Sequence, residues 1–177
     1  YCGFRNARSW EGRRVYPVQI CYIHGVAYDG TRKWTNYDWS TDRDSDRFLN
    51  KPTNNMADTR ADRCAIGRDG KLYVTYQVAG GNHIFRYSPK DISEKVRLAG
   101  GDAHHQFHNS RAEHKNVFAR YDPETGAYLA GQQFCGRLSS GRANAVVTKR
   151  GDITADEKGR VYVVGVAAFG IPVDLNP

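Results

Sequence analysis

Long apolar runs are missing from this sequence of 177 residues, whose mean hydropathy is -0.69. A membrane-spanning helix needs about 20 consecutive apolar residues, so the sequence predicts no membrane span. Helical periodicity is scarce as well, and Met56 is the only methionine. The sequence starts at Tyr1 without a signal peptide, which leads us to expect a processed chain or a fragment of a longer one.

Catalytic and nucleotide-binding motifs are also missing. The sequence contains no nucleophile elbow, phosphate-binding loop, dinucleotide fingerprint or zinc-protease motif. Several Asp and Glu side chains could act as acid and base, but no spacing singles out a pair. An enzyme is therefore unsupported, and we favour a non-catalytic protein.

The charge is unbalanced but spread along the chain. Twenty-six basic residues against 19 acidic ones give a formal net charge of +7. A basic balance raises the expectation of acidic partners. The densest basic pairs are Arg13-Arg14, Arg32-Lys33 and Lys149-Arg150, and no nucleic-acid-binding motif accompanies them. We interpret the charge as a solvated surface, keep polyanion binding as an alternative, and do not expect a nucleic-acid partner.

The four cysteines are far apart in the sequence, and no CxxC motif is present. This spacing argues against a c-type haem, a redox dithiol and a zinc ribbon. Two disulfides with three connectivities stay open, and buried free thiols are the alternative. An even number favours an oxidising compartment, extracellular or periplasmic. The disulfide candidates are Cys2, Cys21, Cys64 and Cys135.

Strand signals dominate the chain and predict an all-β fold. Residues 70–76 are β-branched and aromatic, and they follow the hairpin signal Asp69-Gly70. Residues 159–165 repeat this pattern, with the two-sided apolar character of a strand buried on both faces. Polar stretches rich in Arg, Asp, Asn, Ser and Thr predict long surface loops at 41–60, 99–116 and 136–150.

Similar strand–turn elements recur at a nearly constant offset. Tyr28 and Tyr121 each precede an Asp and lie 93 residues apart, while Leu72 and Val161 lie 89 residues apart. Two such offsets predict an internal duplication of about 90 residues. Within a single β-rich unit over 1–177, the predicted copies span 22–101 and 116–177.

The segment 151–165 resembles the repeats of bacterial β-propellers of the SBBP and NHL-like type. These repeats place an apolar residue before an Asp, then a turn ending in Gly, then an aromatic-apolar strand. A second copy at 65–74 has Gly67 where Asp is expected. The resemblance implies blades of four antiparallel strands around a central channel, and it is nearly silent on activity. Two blades do not close a ring of roughly four to eight, so it implies a partial or open propeller.

Neighbouring blades cover one another's apolar faces, since one blade cannot bury both faces alone. We therefore expect Tyr73 and Tyr162, which occupy corresponding places in the two copies, to fill the space between blades. A β-sandwich shows the same strand spacing and is the alternative architecture.

A cluster of histidines is the strongest candidate for a metal or cofactor site. Four of the six histidines fall within 11 residues: His104, His105, His108 and His114. Neutral imidazoles are common ligands of zinc, copper and iron, although the HExxH motif is not met. The alternative is an exposed polar loop in which the histidines are incidental or contact a partner.

Two further patterns suggest ligands. Asp42, Asp44 and Asp46 have the spacing that starts many calcium loops, but Arg47 stands where the loop needs Gly. Calcium is therefore the less favoured metal, and a salt-bridged surface loop is the better interpretation. The aromatic residues Trp34, Tyr37 and Trp39 could form a partner surface that stacks on sugars, with core packing as the alternative.

Together these features predict an exported, non-catalytic scaffold or interaction module. Its partners would be protein, glycan or neighbouring subunits, including copies of itself in an oligomer or larger assembly. One alternative is an enzyme or electron-transfer subunit that holds zinc, copper or iron through residues 102–114. A polyanion binder is the other alternative.

Overall fold

The computed structural model describes residues 1–6, 19–38, 59–79, 85, 87–91, 94, 96, 114–134, 136–139, 143–144, 146–148, 151–167 and 170–171. Three strands form one sheet in the order β1-β2-β3: β1 (Cys2–Asn6), β2 (Gln19–Val26) and β3 (Arg32–Asn36). Four strands form a meander in chain order: β4 (Thr59–Ile66), β5 (Leu72–Ala79), β6 (His114–Tyr121) and β7 (Tyr128–Phe134).

The remaining strands pair two by two near the C-terminal end of the described chain. They are β8 (Gly136–Arg137) with β9 (Ala143–Asn144), β10 (Val146–Val147) with β13 (Val166–Ala167), and β11 (Ile153–Ala155) with β12 (Val161–Val163). All these pairings are antiparallel. The prediction of an all-β fold is confirmed. Within the described ranges no helix is long and apolar enough to cross a membrane.

Side-chain alternation gives the four-stranded sheet two buried faces. On one face Val74, Tyr76 and Tyr121 join the main core with side chains of β2 and β3, such as Ile23. On the opposite face, Tyr73 and the partly buried Ala65 and Phe118 pack against the β11–β12 hairpin and form a second core. The hairpin contributes Ile153 and Ala155, with the partly buried Val161 and Val163. The meander is therefore covered on both faces, by β1–β3 on one side and by the β11–β12 hairpin on the other.

Three buried tyrosines tie the main core together. The hydroxyls of Tyr76 and Tyr121 are 2.7 Å apart, and the Tyr121 hydroxyl donates to that of Tyr37 at 3.3 Å. Burial raises the pKa of all three phenols well above the ordinary value. Tyr37 and Tyr76 also pack against the ring of Phe85, with centroids 5.2 and 4.6 Å away. The hydrogen bonds thus satisfy polar groups that burial would otherwise leave without partners.

The predicted loops differ from the structure in one respect. The segment 136–150 contains the short strands β8, β9 and β10, so part of it belongs to the sheets. The other two predicted loops, 41–60 and 99–116, overlap the first residues of the strands that follow them, because β4 begins at Thr59 and β6 at His114. Most of their residues lie outside the part of the chain that the structure describes.

Candidate interaction surface

Two hairpin turns share one backbone geometry. The inner turn is 67–71, between β4 and β5, and the outer turn is 156–160, between β11 and β12. In each, the first residue donates its N–H to the carbonyl of the fifth, at 2.9 and 3.1 Å, and the fourth donates to the carbonyl of the first, at 2.9 and 3.0 Å. The fourth residue is Gly70 or Gly159, with φ of 75° and 76°. Glycine adopts this left-handed conformation without steric cost, as hairpins with a three-residue loop require.

The strands beside the two turns correspond as well. Ala65 pairs with Tyr73 in the first hairpin, and Thr154 pairs with Tyr162 in the second. Tyr73 and Tyr162 therefore hold the same position relative to their turns, and each points from the same face of its hairpin. The 89-residue offset predicted from sequence joins two segments of like local structure, while the duplication itself stays a prediction.

The two tyrosines differ in what covers them. Tyr73 is 1% exposed because Ile153 and Ala155 of β11 pack against it. Tyr162 is 52% exposed, on the side of the β11–β12 hairpin that faces away from the four-stranded sheet. The expectation that both tyrosines lie between sheets holds for Tyr73 alone.

Asp69 connects the inner turn to the sheet. Its carboxylate accepts hydrogen bonds from the Tyr73 hydroxyl at 2.8 Å, from Arg120 Nη2 at 2.6 Å and from the backbone N–H of Lys71 at 3.1 Å. Burial pushes the pKa of Asp69 upward, but the hydrogen bonds and the charge of Arg120 outweigh burial, and the net pKa is lowered. Asp69 is thus an ionised acceptor with three donors, suited to structure rather than to proton transfer.

The outer turn closes on itself instead. Asp156 accepts from the backbone N–H groups of Lys158 and Arg160, both at 2.9 Å, and from Arg160 Nε at 2.6 Å. The bond from the Arg160 side chain is the largest cause that lowers the pKa of Asp156. The outer turn therefore keeps its shape with its own side chains.

Gly67 is required by close packing between the sheets. A Cβ atom at this position would lie 2.7 Å from Tyr73 Cε2 and 2.9 Å from the Cβ of Ala155. Distances this short are repulsive for carbon atoms, whose contacts are optimal near 3.5–4.0 Å. The inner turn therefore leaves no room for a side chain at residue 67.

An apolar surface extends from Tyr162 along alternate residues. Tyr162, Val164 and Val166 are 52%, 63% and 69% exposed, and Thr154, the cross-strand neighbour of Tyr162, is also exposed. We call these four residues the outer face. Tyr162 and Thr154 are cross-strand neighbours on the β11–β12 hairpin, Val164 follows β12 directly, and Val166 begins β13 in another sheet. The outer face therefore offers a partner exposed side chains that lie close together along the chain.

The predicted aromatic surface is assigned to the core instead. Trp34 is 9% exposed and donates from Nε1 to the Pro123 carbonyl at 2.9 Å, while Tyr37 is 1% exposed. The Trp34 ring fills the space above Gly25 and Gly126, where a Cβ atom would collide with it. Trp34 therefore packs β3 against the turn after β6, whereas Tyr37 packs in the main core. Trp39 lies outside the described residues.

The predicted metal ligands fall largely outside the described ranges. His104, His105 and His108 are not described, and neither are Asp42, Asp44 and Asp46. His114 begins β6, where its backbone pairs with Ala79. The described part of the chain contains no group of three His, Cys, Asp or Glu side chains that could hold a metal ion. Binding of zinc, copper, iron or calcium stays a prediction.

No disulfide joins the cysteines that the structure describes. Cys2, Cys21 and Cys64 are free thiols, and Cys135 lies outside the described residues. On the paired strands Cys2 stands opposite Ile23, so it does not face Cys21 directly. Cys21 is fully buried, and burial raises the pKa of its thiol to about 12. The free thiols give no support to the predicted oxidising compartment.

No protein-family model matches the sequence, and no curated protein matches it. The resemblance to propeller repeats therefore depends on the pattern of residues alone.

The exposure of the outer face could not be predicted from the sequence, because its residues follow the pattern of buried residues. Tyr162 has the same neighbours along the chain as Tyr73, namely a turn glycine before it and a valine after it. The signal that could have found the outer face is the order of the hairpins: the β11–β12 hairpin follows the inner hairpin and covers it, whereas no hairpin after β12 is among the described strands.

Proposed function

We propose that this chain is a non-catalytic interaction module whose outer face binds a β-sheet of another polypeptide. One observation carries the proposal. Tyr73 and Tyr162 occupy the same position in two hairpins of like geometry, yet Tyr73 is covered by a packed hairpin and Tyr162 is 52% exposed. A sheet that packs on Tyr162 as β11 packs on Tyr73 would make the two positions equivalent.

The energetics favour such a partner. Apolar surface removed from water contributes about 25 cal/mol per Å², and tyrosine is enriched among the residues that dominate binding energy. The β11–β12 sheet also has only two strands within the described residues, so a partner that shields it would protect backbone groups at its edges.

A second copy of this chain is the partner to which we commit. Most soluble oligomers are symmetric homodimers in which the same patch meets itself. The outer face suits this arrangement because its own side chains, Thr, Tyr and Val, carry no charge, and the adjacent Asp156 and Arg160 pair with each other at 2.6 Å.

The sheet arrangement supports a partial propeller as the architecture of the module. A β-sandwich covers each of its two sheets on one face, whereas here the four-stranded meander packs on both faces. Successive coverage of one sheet by the next is the arrangement of propeller blades. The proposal therefore places the outer face where a following blade would pack.

Sedimentation velocity over a range of protein concentrations tests the proposed association. The wild-type chain is expected to dimerise reversibly, and Tyr162→Glu is expected to be monomeric because it places a charge in the apolar interface. Tyr28→Glu is the matched control, since Tyr28 is 109% exposed at the tip of the β2–β3 turn, away from the outer face.

Circular dichroism at the same concentrations checks that all three proteins keep their sheet content. A wild-type chain that stays monomeric at every concentration would contradict the proposal. Equal loss of association in the two tyrosine variants would contradict it as well, because it would separate dimerisation from the outer face.

A further inference from the structure

The inner turn makes a backbone contact with the hairpin that packs on it. The N–H of Arg68, the second residue of this turn, donates to the carbonyl of Ala155 at 2.9 Å. Ala155 also lies against the first residue of the turn, since a Cβ atom at Gly67 would stand 2.9 Å from the Cβ of Ala155. The main chain of the inner turn therefore takes part in the sheet-to-sheet packing that buries Tyr73.

The outer turn carries the same donor in the same place. Glu157 is its second residue, as Arg68 is in the inner turn, and the two turns share their backbone hydrogen bonds and the positive φ of the fourth residue. Because the backbone geometry is alike, the N–H of Glu157 points to the side on which Tyr162 lies. Glu157 is exposed, and among the residues that the structure describes its N–H has no hydrogen-bond acceptor.

The side chains beside the two turns are also arranged alike, although their carboxylates come from different turn positions. At the inner turn the Oδ2 atom of Asp69 accepts from the Tyr73 hydroxyl at 2.8 Å and from an arginine at 2.6 Å. At the outer turn the Oδ2 atom of Asp156 accepts from the Tyr162 hydroxyl at 3.4 Å and from an arginine at 2.6 Å. Within the single chain, Tyr162 is therefore already held as the buried Tyr73 is held.

We propose that the N–H of Glu157 donates a hydrogen bond to a main-chain carbonyl of the second copy, as the N–H of Arg68 donates to Ala155. The inference rests on the proposed function, because it names the polar contact that accompanies the apolar outer face. In a symmetric dimer the contact forms twice, once from each copy. The contact would align the two hairpins, since apolar burial is non-directional whereas a hydrogen bond requires a nearly linear donor.

The variant Glu157→Pro removes the donor and keeps the turn. Hairpin loops of this kind contain a type I turn followed by a left-handed residue. The second residue of a type I turn has a φ of about −60°, which proline favours, and proline has no backbone N–H. Glu157→Ala is the matched control, because it removes the same charged side chain but keeps the N–H.

Sedimentation velocity over a range of protein concentrations compares the two variants. Glu157→Ala is expected to dimerise like the wild type. Glu157→Pro is expected to raise the dimer Kd by roughly 10- to 100-fold, because both copies lose a hydrogen bond and leave a carbonyl without its donor.

The outcomes separate this inference from the proposed function. If the wild type dimerises and the two variants have equal Kd values, the inference is overturned and the proposed function stands. If the wild type never dimerises, the proposed function is contradicted and the inference is contradicted with it.

Thermal unfolding at low protein concentration checks that the proline leaves the hairpin intact. Glu157→Pro should keep the Tm of the monomer, because the N–H that it removes has no acceptor among the described residues. Arg68→Pro is the counterpart at the inner turn and should lower the Tm, because it breaks the hydrogen bond to Ala155.

Hydrogen exchange of the wild-type chain tests the contact without a variant. The amide of Glu157 should exchange freely in the monomer at low concentration and become protected as the dimer forms. An amide of Glu157 that exchanges equally fast in the monomer and the dimer would overturn the inference, whatever the variants show.

Discussion

The inner and outer turns have the same backbone but different surroundings. Both use a glycine at the fourth position with φ near 75°, and both place a tyrosine three residues further along the chain. The inner turn lies between two sheets, whereas the outer turn has a packed sheet on one side of its hairpin. Local sequence determines the turn, and the order in which the sheets stack determines which tyrosine is buried.

The side chains of the two turns follow from this difference. The inner turn has Gly67 at its first position, where the neighbouring sheet leaves no room for a Cβ atom. Its carboxylate is that of Asp69, at the third position of the turn. The outer turn has Asp156 at the first position, where the carboxylate binds the backbone of its own turn. Whether a turn of this geometry has room for a side chain at its first position therefore depends on what packs against that position.

The largest expected contrast is between the tyrosines themselves. Tyr73→Ala should lower the free energy of unfolding by about 3–5 kcal/mol, since it removes a buried aromatic side chain and leaves a cavity. Tyr162→Ala should change it by no more than about 0.5 kcal/mol in the monomer, as for most exposed positions. Urea denaturation at low protein concentration measures both.

Equal losses of unfolding free energy in Tyr73→Ala and Tyr162→Ala would contradict the contrast between the buried and the exposed tyrosine. Such a result would mean that Tyr162 is covered in solution, either by residues outside the described ranges or by a partner. Repeating the measurement at high protein concentration separates these cases, because only a partner makes the effect depend on concentration.

An intermediate contrast concerns the first position of each turn. Gly67→Asp gives the inner turn the residue that the outer turn carries, and it should destabilise the protein by roughly 2–3 kcal/mol through overpacking against Tyr73 and Ala155. The reciprocal change Asp156→Gly should cost less, because the position is solvent-exposed on its outer side and the turn keeps its Gly159. Thermal unfolding of the two variants gives the comparison.

A stabilising effect of Gly67→Asp would contradict the close packing at the inner turn. It would mean that the inner turn has room for a side chain at residue 67. The conservative variant Gly67→Ala has the same Cβ without the charge, and it should retain much of the destabilisation if packing is the cause.

The smallest expected contrast is the pH dependence of Asp69. Its folded-state pKa is lowered, so its contribution to stability is fully present above the unfolded pKa of about 4 and is lost as the pH falls through the folded value. Asp69→Asn should cost roughly 1–2 kcal/mol at neutral pH, because charged hydrogen bonds to Tyr73 and Arg120 are lost.

The difference between wild type and Asp69→Asn should therefore shrink as the pH falls below about 4 and through the lowered folded-state pKa of Asp69. Asp156→Asn is the matched control. Because solvent screens the ion pair between Asp156 and Arg160, this substitution should lower stability less at neutral pH than Asp69→Asn does. A difference between wild type and Asp69→Asn that does not vary with pH would show that the charge of Asp69 contributes nothing.

The all-β class and the two hairpins could be predicted because they depend on nearby residues. Alternation of β-branched and aromatic side chains indicates strands, and Asp-Gly or Lys-Gly between them indicates a tight turn. The burial of Trp34 and Tyr37 could not be predicted, because it depends on whether a distant segment covers them. The turn at Pro123 and Gly126 that covers Trp34 is 89 residues further along.

The sequence by itself determined the antiparallel strands, the shape of the inner and outer turns and the position of a tyrosine after each. These features arise from the φ and ψ preferences of a few adjacent residues. Only the tertiary structure decided that Tyr73 is buried, that Tyr162 is exposed and that Trp34 packs against the turn after β6. Those outcomes depend on which sheet packs on which, and packing joins residues that sequence separates by 60 positions or more.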